Sequence, residues 1–226
     1  MKNNNIFLNS LFIIGFSCLV HFATAQTSTQ NYVRTRTMTN SAGTSYLEQV
    51  EYYDGLGRPS QVVEAKMGGA SQDLVSLIEY DGAGRREKVW LPAVRSGNNS
   101  AYVSPSTLRT SSSSSNKGDN KPYSLTVYEP SPLNRVTKEF GPGNDWHTND
   151  RAVHTAYKVN VVEAGPYRCL RHIFFGSLNS IMVSLASDGY YAAGLLYVTE
   201  TKDEDNNPLY TFTDKEGHVI LTRQIS

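Results

Sequence analysis

Tyr53-Asp54-Gly55-Leu56-Gly57-Arg58 recurs in the chain as Tyr80-Asp81-Gly82-Ala83-Gly84-Arg85, and this repeated phrase decides the fold. Each unit of a repeat protein buries its apolar face only against its neighbours, so the repeat governs every later assignment. The glycines permit the positive φ that tight hairpins need, and the aspartates can accept backbone N–H groups. We therefore expect one β-hairpin at each copy.

The segments around each phrase have the imperfect period-two pattern of β-strands. Tyr46–Tyr53 enters the first turn and Pro59–Lys66 leaves it, whereas Leu74–Tyr80 and Arg86–Leu91 flank the second. We expect each arginine to pair with an acidic side chain or a carbonyl of a neighbouring hairpin, and the tyrosines to stack on their equivalents in the adjacent unit. The structural repeat motif comprises Tyr53, Asp54, Gly55, Gly57 and Arg58 in the first copy and Tyr80, Asp81, Gly82, Gly84 and Arg85 in the second.

The first 25 residues have the order of a secretory signal. Lys2 is followed by the apolar stretch Ile6–Phe22 and by the small-residue site Ala23-Thr24-Ala25. We expect a signal helix that is cleaved after Ala25, although the apolar stretch leaves an uncleaved anchor as an alternative. The sequence thus predicts secretion across the inner membrane, to the periplasm, the cell surface or the extracellular space.

Composition favours an all-β protein and argues against a nucleic-acid partner. The 21 basic and 21 acidic residues balance to a formal charge of +0, so there is no basic footprint for nucleic acid. The 14 tyrosines, with Val and Thr at alternating positions, suit half-buried strands. After signal cleavage Cys169 is the remaining cysteine, and its apolar surroundings predict a small buried side chain.

The rest of the chain divides by composition. Residues 26–95 hold the two repeat hairpins, 96–121 is a Ser-rich segment expected to be a flexible insertion, and 122–226 contains degenerate hairpins and C-terminal strands. Gly141–Asn149 is expected to be a loop, and Ser187–Gly189 a turn.

Two later segments depart from the repeated phrase. Residues 128–135 keep Tyr128 and Arg135 but lose the aspartate and the glycines, so we expect a turn with different chemistry. In the last segment Phe212 replaces tyrosine, and His218 stands where an arginine is expected.

Two polar clusters are candidate sites of chemistry. Oxygen ligands for calcium are available at Asp203, Asp205, Asn207 and Asp214, but an ordinary acidic hairpin turn is favoured. A zinc or acid–base site is conceivable at Asp145, His147, Asp150 and His154, but a polar loop anchored by Trp146 is favoured. Trp90 and the tyrosines can stack on sugars, although cross-strand packing is preferred for them. We expect no catalytic residue, no metal and no cofactor.

The repeated phrase resembles the YD repeat of RHS (rearrangement hotspot) proteins, and its surroundings resemble the N-terminal region of secreted Bacteroidetes members. The strongest matching stretches are 52–59, 79–85 and 90–93, and weaker ones are 123–129, 134–136, 141–143 and 212–219. The resemblance implies antiparallel β-hairpin repeats that wind into a curved open sheet, a partial shell. In such proteins the shell encloses a C-terminal, variable and often toxic domain.

Three hypotheses follow from the residues and the resemblance. The first is a non-enzymatic structural module, the exported N-terminal part of an RHS shell protein whose partners are downstream repeat polypeptide or a C-terminal cargo domain. The alternative is a cell-surface module that binds carbohydrate or a partner protein. A hydrolytic or toxic enzyme is the third and least favoured.

Overall fold

The computed structural model describes residues 29–175 and 184–225, so the predicted signal helix lies outside the described residues. The described part is mostly β-structure. Its strands are β1 (Asn31–Met38), β2 (Tyr46–Tyr53), β3 (Pro59–Ala65), β4 (Asp73–Tyr80), β5 (Arg86–Trp90), β6 (Ala93–Arg95), β7 (Tyr123–Tyr128), β8 (Val136–Phe140), β9 (Ala152–Val159), β10 (Leu170–Phe175), β11 (Ser184–Tyr190), β12 (Tyr197–Lys202), β13 (Pro208–Thr213) and β14 (Val219–Gln224).

Twelve of these strands form one open antiparallel sheet. Its order is β1-β2-β3-β4-β5-β7-β8-β9-β12-β13-β14, with β6 paired to β4, while β10 and β11 form a separate two-stranded sheet. Most neighbours in the sheet are also neighbours in the sequence, as expected for successive hairpins. The predicted all-β class and the open antiparallel sheet are confirmed, and the strands predicted around both repeated phrases agree within a residue or two.

The first core cluster lies beneath the two repeat hairpins. Tyr52, Val63 and Val75 come from adjacent strands of the sheet and are fully or almost fully buried. Leu108 reaches the same cluster from a helix, α1 (Pro105–Ser115), which packs against β6 and β4. Alternate residues of each strand therefore face a core that α1 covers.

The second core cluster lies beneath the C-terminal strands. It contains Cys169, Leu196, Val198, Tyr210 and Phe212. Cys169 is 1% exposed, as the sequence predicts for a small buried side chain, and burial raises the pKa of its thiol.

A buried carboxylate borders this second cluster. Glu200 accepts the hydroxyl of Tyr167 at 2.6 Å and that of Tyr210 at 3.3 Å. The first of these hydrogen bonds is the main cause that raises the pKa of Tyr167 to about 12. The carboxylate therefore has partners that offset part of the cost of its burial.

Three local expectations are wrong. The segment 96–121 is not wholly irregular, because it contains α1, whose first turn is capped by the Ser104 hydroxyl and whose Leu108 is buried. The expected loop at Gly141–Asn149 contains a short helix, α2 (Asn144–Thr148). The expected turn at Ser187–Gly189 lies inside β11. In the first case serine composition concealed an N-cap, a proline in the first turn and one apolar anchor.

Within residues 29–175 and 184–225, no helix has the length and apolar character needed to cross a membrane.

Candidate functional site: the turn edge of the sheet

Four hairpin turns lie along one edge of the sheet, which we name the turn edge. They connect β2 to β3, β4 to β5, β7 to β8, and β13 to β14. The antiparallel order of the strands brings these connections to the same side, because every second turn of a meander lies on the same edge. Both copies of the repeated phrase therefore occupy corresponding places.

The first turn is closed by the carboxylate of Asp54. Its Oδ1 accepts the backbone N–H groups of Leu56 and Arg58, both at 2.9 Å, and its Oδ2 accepts Nε of Arg58 at 2.8 Å. Hydrogen bonds from the backbone and the side chain of Arg58 lower the pKa of the Asp54 carboxyl. One aspartate thus fixes both the turn and the arginine that follows it.

The second turn repeats these hydrogen bonds. Asp81 accepts the N–H groups of Ala83 and Arg85 at 2.9 Å, and Nε of Arg85 at 2.7 Å. The backbone N–H of Arg85 is the largest cause of the lowered pKa of Asp81. The predicted aspartate-closed hairpins are confirmed in both copies.

The two glycines of each phrase have different roles. Gly57 and Gly84 have φ values of +75° and +80°, in the left-handed region. Gly55 and Gly82 do not have positive φ, so the expectation that all four glycines supply it is wrong for these two. The left-handed residue is the one just before the arginine, where a residue with Cβ is strained.

The third turn differs in part from the first two, as expected. Glu129 takes the place of the aspartate as the partner of the arginine, but the hydroxyl of Ser131 accepts the backbone N–H of Leu133. Oε1 and Oε2 of Glu129 accept Nε and Nη2 of Arg135 at 2.8 and 2.7 Å, and Ser131 donates to Oε1. These bonds, led by that from Arg135, lower the pKa of Glu129 to about 2. The longer glutamate side chain bridges a turn that is two residues longer, so the carboxylate–arginine pairing persists.

Two later turns use the same aspartate geometry without arginine. Oδ1 of Asp203 accepts the N–H groups of Asp205 and Asn207, and Oδ2 accepts Nδ2 of Asn207. Oδ1 of Asp214 likewise accepts the N–H groups of Glu216 and His218, while Oδ2 lies 2.9 Å from Nδ1 of His218. These contacts support the favoured reading of the 203–207 segment as an acidic hairpin turn.

Arginines of the first three turns each lie over a tyrosine of the following strand. The guanidinium carbon lies 4.1 Å from the ring centroid for Arg58 and Tyr80. The corresponding distance is 4.5 Å for Arg85 and Tyr128, and 4.6 Å for Arg135 and Tyr157. A cation over an aromatic face at such distances is attracted by the ring quadrupole.

Each of these tyrosines also donates its hydroxyl to the residue that follows the arginine. Tyr80 donates to the carbonyl of Pro59 at 2.7 Å, Tyr128 to that of Arg86 at 3.0 Å, and Tyr157 to that of Val136 at 3.2 Å. We call the stacked ring and this hydrogen bond together the arginine–tyrosine contact. It joins each hairpin to the strand after it.

The strand register explains why the contact recurs. Gln61 pairs with Leu77, and continuing three residues toward the turn edge on both strands reaches Arg58 and Tyr80. The same three-residue step from Lys88–Leu125 and from Lys138–His154 reaches the other two pairs. In all three cases arginine and tyrosine therefore stand directly across from each other.

Two arginines make a second bond to the neighbouring turn. Nη1 of Arg58 donates to the carbonyl of Gly84 at 3.1 Å, and Nη1 of Arg85 donates to that of Glu129 at 3.3 Å. The predicted pairing of arginine with a neighbouring carbonyl is confirmed, but the predicted stacking of Tyr80 on its equivalent Tyr53 is wrong. A guanidinium, not another tyrosine, covers the Tyr80 ring.

Two tyrosines near the turn edge, Tyr53 and Tyr157, have roles that the sequence did not predict. Tyr53 precedes the first turn and donates its hydroxyl to Glu51 at 2.6 Å. Tyr157 lies in β9, outside any repeated phrase, and sequence reasoning missed it. Its only signal was its register opposite Arg135, which requires the strand pairing to be known.

The histidine–aspartate cluster is only partly brought together: Nε2 of His154 lies 3.8 Å from Oδ2 of Asp150, whereas His147 makes contacts of its own. Nε2 of His147 lies 3.1 Å from the carbonyl oxygens of Tyr123 and Gly141, and its ring stacks on Phe140. Asp150 accepts Nζ of Lys138 at 2.8 and 2.9 Å. These side chains thus hold strands and α2 together.

Trp90 is a core residue and does not present a platform for sugar. It is 9% exposed, packs against Tyr123 at 4.6 Å, and donates Nε1 to Glu79 at 2.7 Å. Packing, the preferred reading for Trp90, agrees with this geometry.

Asp214, Glu216 and His218 bring three potential ligand atoms within 4.8 Å of one another. The Asp214 oxygens already close the last turn, as the equivalent oxygens of Asp54 and Asp81 close theirs. The turn itself accounts for this arrangement.

The chain belongs to a family described as Domain of unknown function (DUF6443), which matches residues 25–159, more than half of the 226 residues. The match ends at Val159, the last residue of β9, and so includes all three arginine–tyrosine contacts. Comparison with curated proteins gives no match, and neither does comparison with solved structures.

Proposed function

We propose that the chain is a non-enzymatic structural module, the exported N-terminal part of an RHS/YD-repeat shell protein. It would enclose or present a C-terminal domain, such as a toxin. Its partners would then be downstream repeat polypeptide or that cargo domain.

The observation that carries this proposal is the threefold recurrence of the arginine–tyrosine contact. Each contact joins one hairpin to the next strand through the same ring contact and the same hydroxyl hydrogen bond, and in all three the arginine and the tyrosine have the same register. A contact that recurs at three successive hairpins of the turn edge suits a wall that is extended unit by unit. The open ends of the sheet support the same interpretation.

The use of the polar side chains supports a role without catalysis. The aspartates of the turns saturate their oxygens with backbone and arginine N–H groups, and His147 lies against two carbonyl oxygens. These groups hold the backbone in place, and their hydrogen bonds within the protein occupy the atoms that would otherwise contact a substrate.

Sequencing the locus beyond the codon for Ser226 tests the shell proposal. We expect further Tyr-Asp hairpins at similar spacing, followed by a C-terminal domain of another composition. A stop codon directly after Ser226 would contradict it. Export is tested separately by mass spectrometry of the protein from cell fractions, in which we expect Gln26 as the first residue; an intact Met1 in the cytosol would contradict export.

A groove favours the second candidate, a surface module that binds carbohydrate or a partner protein. It has a volume of about 830 Å³ and lies where β1 and β2 meet the loops after β3 and β6. Arg36 lies over the exposed ring of Tyr46 at its wall, and Asn98 and Asn99 supply amide groups. Aromatic faces beside amides suit sugar binding. On a glycan array we expect binding that a Tyr46→Ala variant loses; no binding by the unchanged protein would reject this candidate.

A further inference from the structure

The last strand of the sheet, β14, begins at the turn edge, and the side of this strand that faces away from β13 is open. Within the part of the chain that the structure describes, β14 pairs with β13 alone. Val219 is 61% exposed and Ile220 is 38% exposed. An edge strand with unpaired backbone groups and exposed apolar side chains is a template for another strand.

The turn before β14 is built like the turns that carry the arginine–tyrosine contact. The β2–β3, β4–β5, β7–β8 and β13–β14 pairs all have a register shift at the residue before the turn. In the last pair His218 occupies the position of the arginine, held through Nδ1 by Asp214, and its side chain is 75% exposed. The side chain that would contact a following strand is therefore in place.

We propose that the β14 edge binds an antiparallel strand that ends at the turn edge in a tyrosine, with that ring stacked on His218. The tyrosine hydroxyl would donate to the carbonyl of Val219. This inference rests on the proposed function and names the chemistry of the partner strand.

Three observations within the chain specify this partner. In each arginine–tyrosine contact the tyrosine directly opposes the arginine and its hydroxyl reaches the carbonyl of the next residue, which after His218 is Val219. All three tyrosines lie near the end of strands that run toward the turn edge. A histidine ring can itself stack on an aromatic ring, as His147 does on Phe140 with the ring centroids 5.0 Å apart.

Strand direction argues against β1 of a second copy as the occupant. Asn31 pairs with Tyr53, so β1 begins at the turn edge, as β14 does. If β1 of one copy paired with β14 of another, with the turn edges of both copies on the same side, the two strands would be parallel. Every pair of neighbouring strands in this sheet is antiparallel. An antiparallel strand continues the existing hydrogen-bond pattern.

The test uses the full chain and a synthetic peptide, acetylated and amidated, with the sequence of residues 150–160. This peptide contains β9 and its Tyr157, one of the three tyrosines that make the contact. With isotope-labelled protein and unlabelled peptide, NMR reports the His218 ring protons and the amides of β14. We expect an upfield ring-current shift at His218 and slower hydrogen exchange at alternate β14 amides.

Matched peptides and variants separate this mode from general edge association. A Tyr157→Ala peptide should bind about two- to five-fold more weakly, since a ring over a cation or imidazole contributes roughly 0.5–1 kcal/mol. His218→Ala protein should lose the preference for tyrosine, and His218→Arg should increase it because arginine restores the contact seen three times in the chain.

Absence of shifts at His218 and β14 at millimolar peptide would overturn the inference. Equal binding of the tyrosine and alanine peptides would also overturn it, as would protection confined to β1. The outcome is distinguishable from that of the locus test. A stop codon after Ser226 with peptide binding retained would reject the proposed shell and keep the strand site, whereas downstream repeats without peptide binding would do the reverse.

Discussion

The guanidinium carbon of Arg58 lies 4.1 Å from the ring centroid of Tyr80, and Nη1 of the same arginine donates to the carbonyl of Gly84. Arg58 belongs to the first copy of the repeated phrase, and the two residues that it contacts, Tyr80 and Gly84, belong to the second. It therefore connects two hairpins that the chain separates by more than twenty residues.

Alanine at Gly84 should disturb this connection. A Cβ at position 84 would lie 2.9 Å from Nη1 of Arg58, at a φ of +80°. Gly57 is the matched control, since it has a φ of +75° and open space around its Cβ position. We expect Gly57→Ala to lower the free energy of unfolding by about 1 kcal/mol through left-handed strain, and Gly84→Ala to lower it by up to about 1 kcal/mol more through the displaced arginine.

Urea unfolding measures both losses of stability. The additional cost at Gly84 should vanish in an Arg58→Ala background, because no guanidinium is left to displace. Equal costs for the two glycines in the unchanged protein would show that Arg58 does not constrain Gly84.

Removal of one hydroxyl should weaken the sheet without removing a ring. Tyr80→Phe keeps the face beneath Arg58 but deletes the bond to the carbonyl of Pro59. We expect a loss of about 1 kcal/mol in the free energy of unfolding, the usual net value of one hydrogen bond. Tyr197→Phe is the control, because Tyr197 is 58% exposed. Equal, negligible effects at both positions in thermal or urea unfolding would contradict the assigned bond.

The third turn should lose its ion pair only in strong acid. Arg135 is the main cause that lowers the pKa of Glu129 to about 2 from an ordinary value of 4.5. Because the folded pKa is depressed, the contribution of this pair is fully present above the ordinary pKa and is lost as the pH falls from about 4.5 to about 2. An NMR titration of the Glu129 carboxyl carbon should place its midpoint near the lower value.

Glu129→Gln is the control for this titration, since it removes the ionisable group and keeps the side chain's length. In the variant, the turn-edge resonances of Arg135 and Tyr157 should no longer change with pH across that window. A Glu129 midpoint close to its ordinary value would contradict the pairing.

Helix α1 should contribute to stability as a covering element of the core. Leu108 is 1% exposed, and its replacement by alanine should cost about 2–5 kcal/mol by leaving a cavity. Leu133→Ala is the control, because Leu133 is 66% exposed in the third turn and should cost little. Similar small effects for both leucines in urea unfolding would favour the flexible insertion that the serine composition suggests.

The repeated phrase allowed the hairpins to be predicted because its information is local. An aspartate and a left-handed glycine close a turn within five residues, and the alternating strands follow from the same segment. The helix at 105–115 was not predicted, since a run of serines has little apolar surface. Its order depends on Leu108 meeting a core that other segments build.

The candidate site was predictable in its parts and not in its assembly. The repeat indicated Arg58 and Tyr80 as separate motif residues, but which ring each arginine covers depends on strand register. The pairing of Glu129 with Arg135 was not predicted, because the turn is longer than the repeated phrase and a longer side chain spans it. Tyr157 was missed because it follows no turn of its own.

A double-mutant cycle on Arg58 and Tyr80 tests the central claim most directly. The free energies of unfolding of the unchanged protein, Arg58→Ala, Tyr80→Ala and the double variant give the coupling between the two side chains. The account predicts a favourable coupling of about 0.5–1 kcal/mol, in the range of a cation over an aromatic ring. Strictly additive losses would contradict the claim that this contact joins successive hairpins.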